Sequence, residues 1–121
     1  MGILDWIMRQ FTRSARRKAA WSACERKESN GLTVFQNRCN EALIKALFHF
    51  PELKYGQRIE GDAEKYIEGT LPRTHIRYRI YENAAQVGDY YYLERAAFDT
   101  PELLIKAFVK MAKETIQYRD G

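Results

Sequence analysis

The stretch that decides the fold is Arg73–Met111, which reads RTHIRYRIYENAAQVGDYYYLERAAFDTPELLIKAFVKM. It contains the clearest strand pattern in the chain, because residues 74–81 alternate between two kinds of side chain. Neighbours in a strand point to opposite faces, so one face carries Ile76, Tyr78 and Ile80. The other face carries His75, Arg77, Arg79 and Tyr81. The isoleucines predict that the first face is buried, and the arginines predict that the second is exposed.

A second strand is predicted over residues 90–96, after a loop over residues 82–89. Its aromatic side chains favour a pleated surface. The short connection predicts an antiparallel hairpin over residues 74–96. Alternation along the second strand places Tyr91 on the opposite face from Tyr90 and Tyr92, but it leaves open which face each of them occupies.

A helix is predicted to begin directly after the hairpin. Pro101 fits the first helical position if Thr100 is the N-cap, whereas Asp99 as the N-cap would form a capping box with Glu102. The apolar run that follows leaves a narrow polar line of Lys106, Lys110, Lys113 and Gln117. Such a helix is predicted to be nearly enclosed, either between the sheet and other helices or in a homodimer interface.

Two earlier helices are predicted over residues 3–28 and 33–50, joined by a Ser-Asn-Gly turn that favours an antiparallel pair. The first has an apolar stripe of Leu4, Ile7, Met8, Phe11 and Ala15 at helical spacing. In the second, Thr33 and Gln36 match a capping box. Between the helices and the hairpin, strand candidates lie at residues 57–60 and 65–71.

These elements predict one α+β domain over residues 1–121. It would contain an N-terminal antiparallel helix pair, an antiparallel sheet of three or four strands, and a C-terminal helix packed on the sheet. The chain has 121 residues, of which 45% are hydrophobic and 30% charged, as is typical of a globular domain. It has neither an apolar run of transmembrane length nor a signal-peptide pattern, so a cytoplasmic location is expected.

The net charge of +4 lies in the first quarter of the chain. Residues 1–30 contain seven basic and three acidic residues, and the remainder contains 13 of each. The first helix is therefore a candidate polyanion-binding site for nucleic acid or an anionic surface, with Arg9, Arg13, Arg16 and Arg17 as the binding residues. A solvated face of a packed helix would explain the same charges.

The hairpin offers a different candidate site. Tyrosine and arginine are enriched at the energetic centres of protein interfaces. The predicted partner-binding residues are Arg77, Arg79, Tyr81, Tyr90 and Tyr92. The alternative is a solvated sheet face stabilised by cross-strand pairs.

Catalytic and metal sites are poorly supported by the sequence. Cys24, Cys39, His49 and His75 do not have metal-ligand spacing. Cys39 and His49 are separated by ten residues of predicted helix, about 15 Å, which is too far for a thiol and its base. The acids Glu60, Asp62 and Glu64 lack metal-ligand partners. We therefore expect reduced thiols, with a Cys24–Cys39 bridge as the alternative, no cofactor, and no enzymatic activity.

The favoured function is that of a small non-catalytic cytosolic module that binds another protein in an inhibitor, immunity-type or adaptor role. The first alternative is a nucleic-acid or anionic-surface binder that acts through the basic first helix. The second is a protein with a small-ligand pocket between the tyrosine hairpin and the helices.

Overall fold

The computed structural model describes residues 2–48, 54–57, 65–89 and 91–120, and within them three α-helices and a five-stranded sheet. The helices are α1 (Ile3–Cys24), α2 (Val34–Leu47) and α3 (Pro101–Asp120). The strands are β1 (Lys54–Gln57), β2 (Lys65–Thr70), β3 (Arg77–Ile80), β4 (Ala84–Val87) and β5 (Tyr91–Glu94). A 3₁₀ turn, Arg95–Ala97, follows β5. Most of the strand candidate at residues 57–60, together with His49 and the acids Glu60, Asp62 and Glu64, lies outside the described residues.

The predicted α+β class is confirmed, with a helix pair, an antiparallel sheet and a C-terminal helix on that sheet. The strands follow one another in the order β1-β2-β3-β4-β5, each antiparallel to its neighbour. Within the described residues, no helix has the length and apolar character needed to cross a bilayer.

One local prediction was wrong: the segment 82–89 contains β4 and is not simply a loop. The predicted hairpin over residues 74–96 is therefore two consecutive hairpins, and β3 and β5 are separated by β4. The turns are tight, since the Tyr81 amide donates to the Ala84 carbonyl at 2.8 Å and Gly88 has a φ of 62°. The sequence of β4, Ala-Ala-Gln-Val, lacks the alternation and the aromatic residues that identify a strand.

Helices α2 and α3 pack on one face of the sheet, which we call the inner face. Its central row pairs Ile67 with Ile80 and Ile80 with Ala85, and all three side chains are fully buried. They share one hydrophobic cluster with residues of α2 and α3, among them Phe35, Leu43, Leu104 and Phe108. Tyr78 belongs to the same cluster, and Ile76 is half-buried against it, so the predicted core face of β3 is confirmed.

A buried glutamine connects α2 to the sheet. The side-chain oxygen of Gln36 accepts a hydrogen bond from the Thr33 backbone amide at 2.9 Å, and the backbone amide of Gln36 donates to the Thr33 hydroxyl at 3.2 Å. The predicted capping box is therefore confirmed. The side-chain amide of Gln36 then donates to the carbonyls of Lys65, at 2.7 Å, and Ile80, at 3.1 Å. The capping residue therefore also docks the helix on β2 and β3.

The first helix differs from its prediction in length and in packing. It ends at Cys24, and an antiparallel bridge between Lys27 and Thr33 replaces the last predicted turn. Leu4, Ile7 and Ala15 of the predicted stripe are exposed. Among the side chains of α1 that the structure describes, Trp21 and Cys24, near the C-terminal end, are the buried ones.

The last helix begins as predicted but is less enclosed than expected. The Leu103 amide donates to the Thr100 hydroxyl at 3.3 Å, so Thr100 is the N-cap. Asp99 instead forms an ion pair with Arg13 at 2.6 Å. One stripe of α3 is buried, consisting of Leu104, Phe108, Ala112 and Ile116. Leu103 is half-exposed, so the rest of this chain does not nearly enclose α3, and its enclosure in a homodimer interface stays a prediction.

Candidate protein-binding face

The surface opposite the helices, which we call the outer face, contains the predicted partner-binding residues of β3. The register pairs Glu68 with Arg79, Arg79 with Gln86, and Gln86 with Tyr92, so these four side chains share one row. The same register places Tyr66 opposite Tyr81 and Thr70 opposite Arg77. The outer face is defined here as Tyr66, Glu68, Arg77, Arg79, Tyr81, Gln86 and Tyr92.

Two arginines converge on one carboxylate at the centre of this face. Arg79 Nε lies 2.8 Å from Glu68 Oε2, and Arg77 Nη1 lies 3.6 Å from Glu68 Oε1. The hydrogen bond that Arg79 donates to Glu68 raises the pKa of the already cationic Arg79. The Glu68 side chain is only 14% exposed, whereas that of Arg77 is 63% exposed. The three groups have a net charge of +1, and Arg77 is the cation that reaches solvent.

An aromatic cluster lies beside the ion pairs. The ring centroids of Tyr66 and Tyr81 are 5.2 Å apart, and those of Tyr81 and Tyr92 are 6.3 Å apart. The rings of Tyr81 and Tyr92 come from opposite sides of β4, where the small, buried Ala84 lies opposite Tyr81. Tyr81 is only 8% exposed, so the expectation that it stands exposed beside the arginines was wrong. Its ring supports the exposed Tyr92 instead.

The structure separates two of the three consecutive tyrosines. Tyr91 pairs with Val87, which pairs with the buried Tyr78, so Tyr91 lies on the inner-face side at the sheet edge. Tyr92 lies on the outer face. Tyr90 is outside the described residues, and its place in the predicted site stays a prediction.

The predicted polyanion residues do not form one solvent-facing cluster among the side chains described. Arg13 pairs with Asp99, and Arg17 Nη2 donates to the carbonyls of Arg95 at 3.1 Å and Ala96 at 3.2 Å. These contacts hold α1 against the connection between β5 and α3. Arg16 is exposed. The side chain of Arg9 is outside the description.

A second anchor of α1 could not be expected from the sequence. The indole nitrogen of Trp21 donates to the Phe98 carbonyl at 3.1 Å. The guanidinium of Arg95 lies 5.1 Å from the Trp21 ring centroid and donates to the carboxylate of Glu25. These partners are separated by more than 65 residues in the chain, and no motif marks them.

A cavity of about 360 Å³ opens at one end of the sheet. It is surrounded by the start of β3, the turn between β4 and β5, and α3. Its polar lining includes His75, Arg77, Asp89 and Thr115, and its apolar lining includes Ile76, Val87 and Tyr91. Arg77 and Arg79 are the cations of the lining and Asp89 is its acid. With the apolar wall, this excess of positive charge suits a small ligand that carries both a ring and a negative charge.

The thiols are poorly placed for chemistry. Cys24 and Cys39 are buried and are not joined to each other. Burial raises the pKa of the Cys39 thiol. Burial also raises the pKa of the Cys24 thiol, an effect that the nearby Arg38 opposes and Glu102 reinforces. Both thiols are therefore protonated at neutral pH. Among the described residues, no cluster of three or more histidine, cysteine or acidic side chains could hold a metal ion.

Comparisons of the chain with protein-family models, with curated proteins and with solved structures found no significant match.

Proposed function

We propose that this protein is a non-catalytic, cytoplasmic protein-binding module in an inhibitor, immunity-type or adaptor role, and that the outer face is its binding surface. The observation that carries the proposal is the arrangement around Arg77 and Tyr92. Both are exposed, and both adjoin buried or half-buried neighbours that fix the surface beneath them. Tyrosine and arginine in such settings are the residue types that dominate interface energetics.

Pre-organisation supports this reading. Arg79 is held by Glu68, and Tyr81 is packed between Tyr66 and Tyr92, so much of the side-chain ordering is already complete in the unbound protein. Association loses free energy whenever mobile side chains become ordered. A face whose own contacts have ordered it therefore binds with less of that loss.

The charge of the face indicates the chemistry of the partner. Glu68 offsets only one of the two arginines beside it, and Arg77 is the more exposed cation. A guanidinium recognises a carboxylate through two parallel hydrogen bonds. The partner is accordingly a protein surface that presents an acidic side chain next to an apolar patch that covers the Tyr92 ring.

The test begins with capture of a partner from the native lysate on the immobilised protein, followed by measurement of the affinity of the purified pair. Arg77→Ala and Tyr92→Ala should each weaken binding by about tenfold or more, as expected for interface centres. The melting temperature of Arg77→Ala should stay close to that of the parent, because the side chain is exposed. Tyr92→Ala uncovers part of Tyr81, so circular dichroism should accompany its binding measurement to show that the fold is retained.

Matched controls lie on α3. Lys110 and Tyr118 are also exposed, and they offer a cation and a tyrosine outside the outer face. Lys110→Ala and Tyr118→Ala should change the affinity by less than about twofold, as for residues outside an interface. Equal losses for the control pair and the outer-face pair would refute the assignment of the binding surface.

The cavity supports a second candidate function, the binding of a small anionic ligand. Arg77 lines both the cavity and the outer face, so that residue alone does not separate the two functions. Tyr91 and Tyr92 do separate them, because Tyr91 lines the cavity and Tyr92 lies on the outer face.

Calorimetric titration with benzoate and phenylacetate tests the second candidate. Binding that is lost in Tyr91→Ala but retained in Tyr92→Ala is the result expected of a ligand site. Absence of binding by either aromatic carboxylate would remove the support for it.

A further inference from the structure

The N-terminal half of α1 carries large aliphatic side chains outside the core. Ile3 and Leu4 are 79% and 77% exposed, and Ile7 is half-exposed. Two buried residues of the helix, Trp21 and Cys24, lie near its other end. Exposure of several neighbouring aliphatic side chains to water is unfavourable, and such patches mark surfaces that become covered when the protein functions.

Exposed residues on one side of α1 are described near both ends of the helix. With about 100° between successive residues, Leu4, Lys18 and Ser22 lie on one side, and all three are exposed. Around the helix, Trp21 is turned about 100° and Cys24 about 160° away from Leu4. A flat surface can therefore approach Leu4 and Lys18 while the rest of the protein lies to the side and behind.

The charge of α1 selects the kind of surface. Its sequence contains five basic residues and one acid, a net charge of +4. A helix with aliphatic residues on one side and an excess of basic residues elsewhere is characteristic of binding in the plane of a membrane interface. Anionic headgroups complement its charge, and the cytoplasmic leaflet is rich in them.

Two other binding partners of α1 would account for only some of its exposed features. Nucleic acid would use the cations but would leave Ile3, Leu4 and Ile7 in water. A second copy of α1 would cover the aliphatic residues, but it would bring two helices of net charge +4 together. An anionic lipid surface satisfies the charge and the aliphatic side chains together.

We propose that α1 docks this protein onto an anionic lipid bilayer. Leu4 and Ile7 enter the boundary between headgroups and acyl chains, and Lys18, about 40° from Leu4 around the helix, lies among the headgroups. The attachment is peripheral, since the helix lies along the surface. It does not depend on the binding function proposed for the outer face, because the two surfaces share no residue.

Co-sedimentation with lipid vesicles tests the proposal. Vesicles of equal parts phosphatidylglycerol and phosphatidylcholine should bind the protein at low salt, and pure phosphatidylcholine vesicles should bind it far less. Leu4→Ser should lower the partition coefficient by about tenfold or more, because the side chain that enters the boundary is lost. Leu103→Ser is the matched control, a half-exposed leucine in the first turn of α3. It should leave vesicle binding unchanged.

A second pair of variants tests the orientation of the helix. Lys18→Gln and Arg16→Gln remove the same charge, but Arg16 lies about 160° from Lys18 and about 120° from Leu4 around the helix. Lys18→Gln should therefore weaken vesicle binding more than Arg16→Gln. Equal binding by Leu4→Ser and the parent, or equal binding to neutral and anionic vesicles, would overturn the proposal. So would a dimer, or a complex with duplex DNA, that forms through Leu4 while the vesicles bind no protein.

Discussion

The inner and outer faces of the sheet exclude water in different ways. On the inner face, Ile67, Ile80 and Ala85 are fully buried because the helices contribute side chains to the same cluster. On the outer face, the adjacent residues Glu68 and Arg79 are shielded largely by one another and by their neighbours. The inner face thus derives its order from helix packing. The outer face derives much of its order from contacts between its own side chains, and it keeps Arg77 and Tyr92 accessible.

The largest expected effect comes from removing an inner-face side chain. Ile80 is fully buried, and Ile80→Ala should lower the free energy of unfolding by about 2–5 kcal/mol, through lost burial and the cavity left behind. Denaturant melts measure the change. A loss below about 1 kcal/mol would show that the inner face is not the close-packed core described here.

The next effect tests the aromatic cluster of the outer face. Ala84 is buried opposite Tyr81, where the rings of Tyr81 and Tyr92 approach each other. Ala84→Leu should separate the rings and lower the free energy of unfolding by about 1–3 kcal/mol, as overpacking does. Near-ultraviolet circular dichroism should report the altered tyrosine environment. An unchanged spectrum together with unchanged stability would contradict the packed arrangement.

A smaller effect is expected at the half-buried ion pair. Arg79→Ala removes the hydrogen bond to the mostly buried Glu68 and should cost about 1–2 kcal/mol, more than a typical surface pair. A double-mutant cycle with Glu68→Ala isolates the coupling between the two side chains. Independent effects of the two substitutions would mean that the pair does not organise the face.

The smallest effect is expected at the rim of the same cluster. Arg77 is 63% exposed and lies 3.6 Å from Glu68, so Arg77→Ala should change stability by less than about 0.5 kcal/mol. The same melts measure it beside Arg79→Ala. Equal losses of unfolding free energy for the two arginine variants would show that the centre of the outer face is no more ordered than its accessible rim.

The sequence identified the parts of the fold that depend on local patterns. The alternation around Tyr78 and Ile80 located the core strand, and the Thr33–Gln36 capping box located the start of α2. The strand β4 was missed because its Ala-Ala-Gln-Val sequence gives little preference, and pairing on both sides defines it.

The candidate site was less predictable because it depends on cross-strand register. Alternation placed Arg77, Arg79 and Tyr81 on one face, but it could not show that Glu68 from another strand would bind the arginines. Nor could it show that rings from neighbouring strands would bury Tyr81. Contacts between residues distant in sequence determine which members of a predicted set remain accessible.

The most direct test of the central claim is amide chemical-shift mapping of the isotope-labelled protein with the captured partner. If the outer face binds it, the largest shifts should occur at Arg77, Arg79, Gln86 and Tyr92, and the exposed lysines of α3 should change little. Shifts concentrated on α1 or on the solvent side of α3, with the outer face unchanged, would contradict the account.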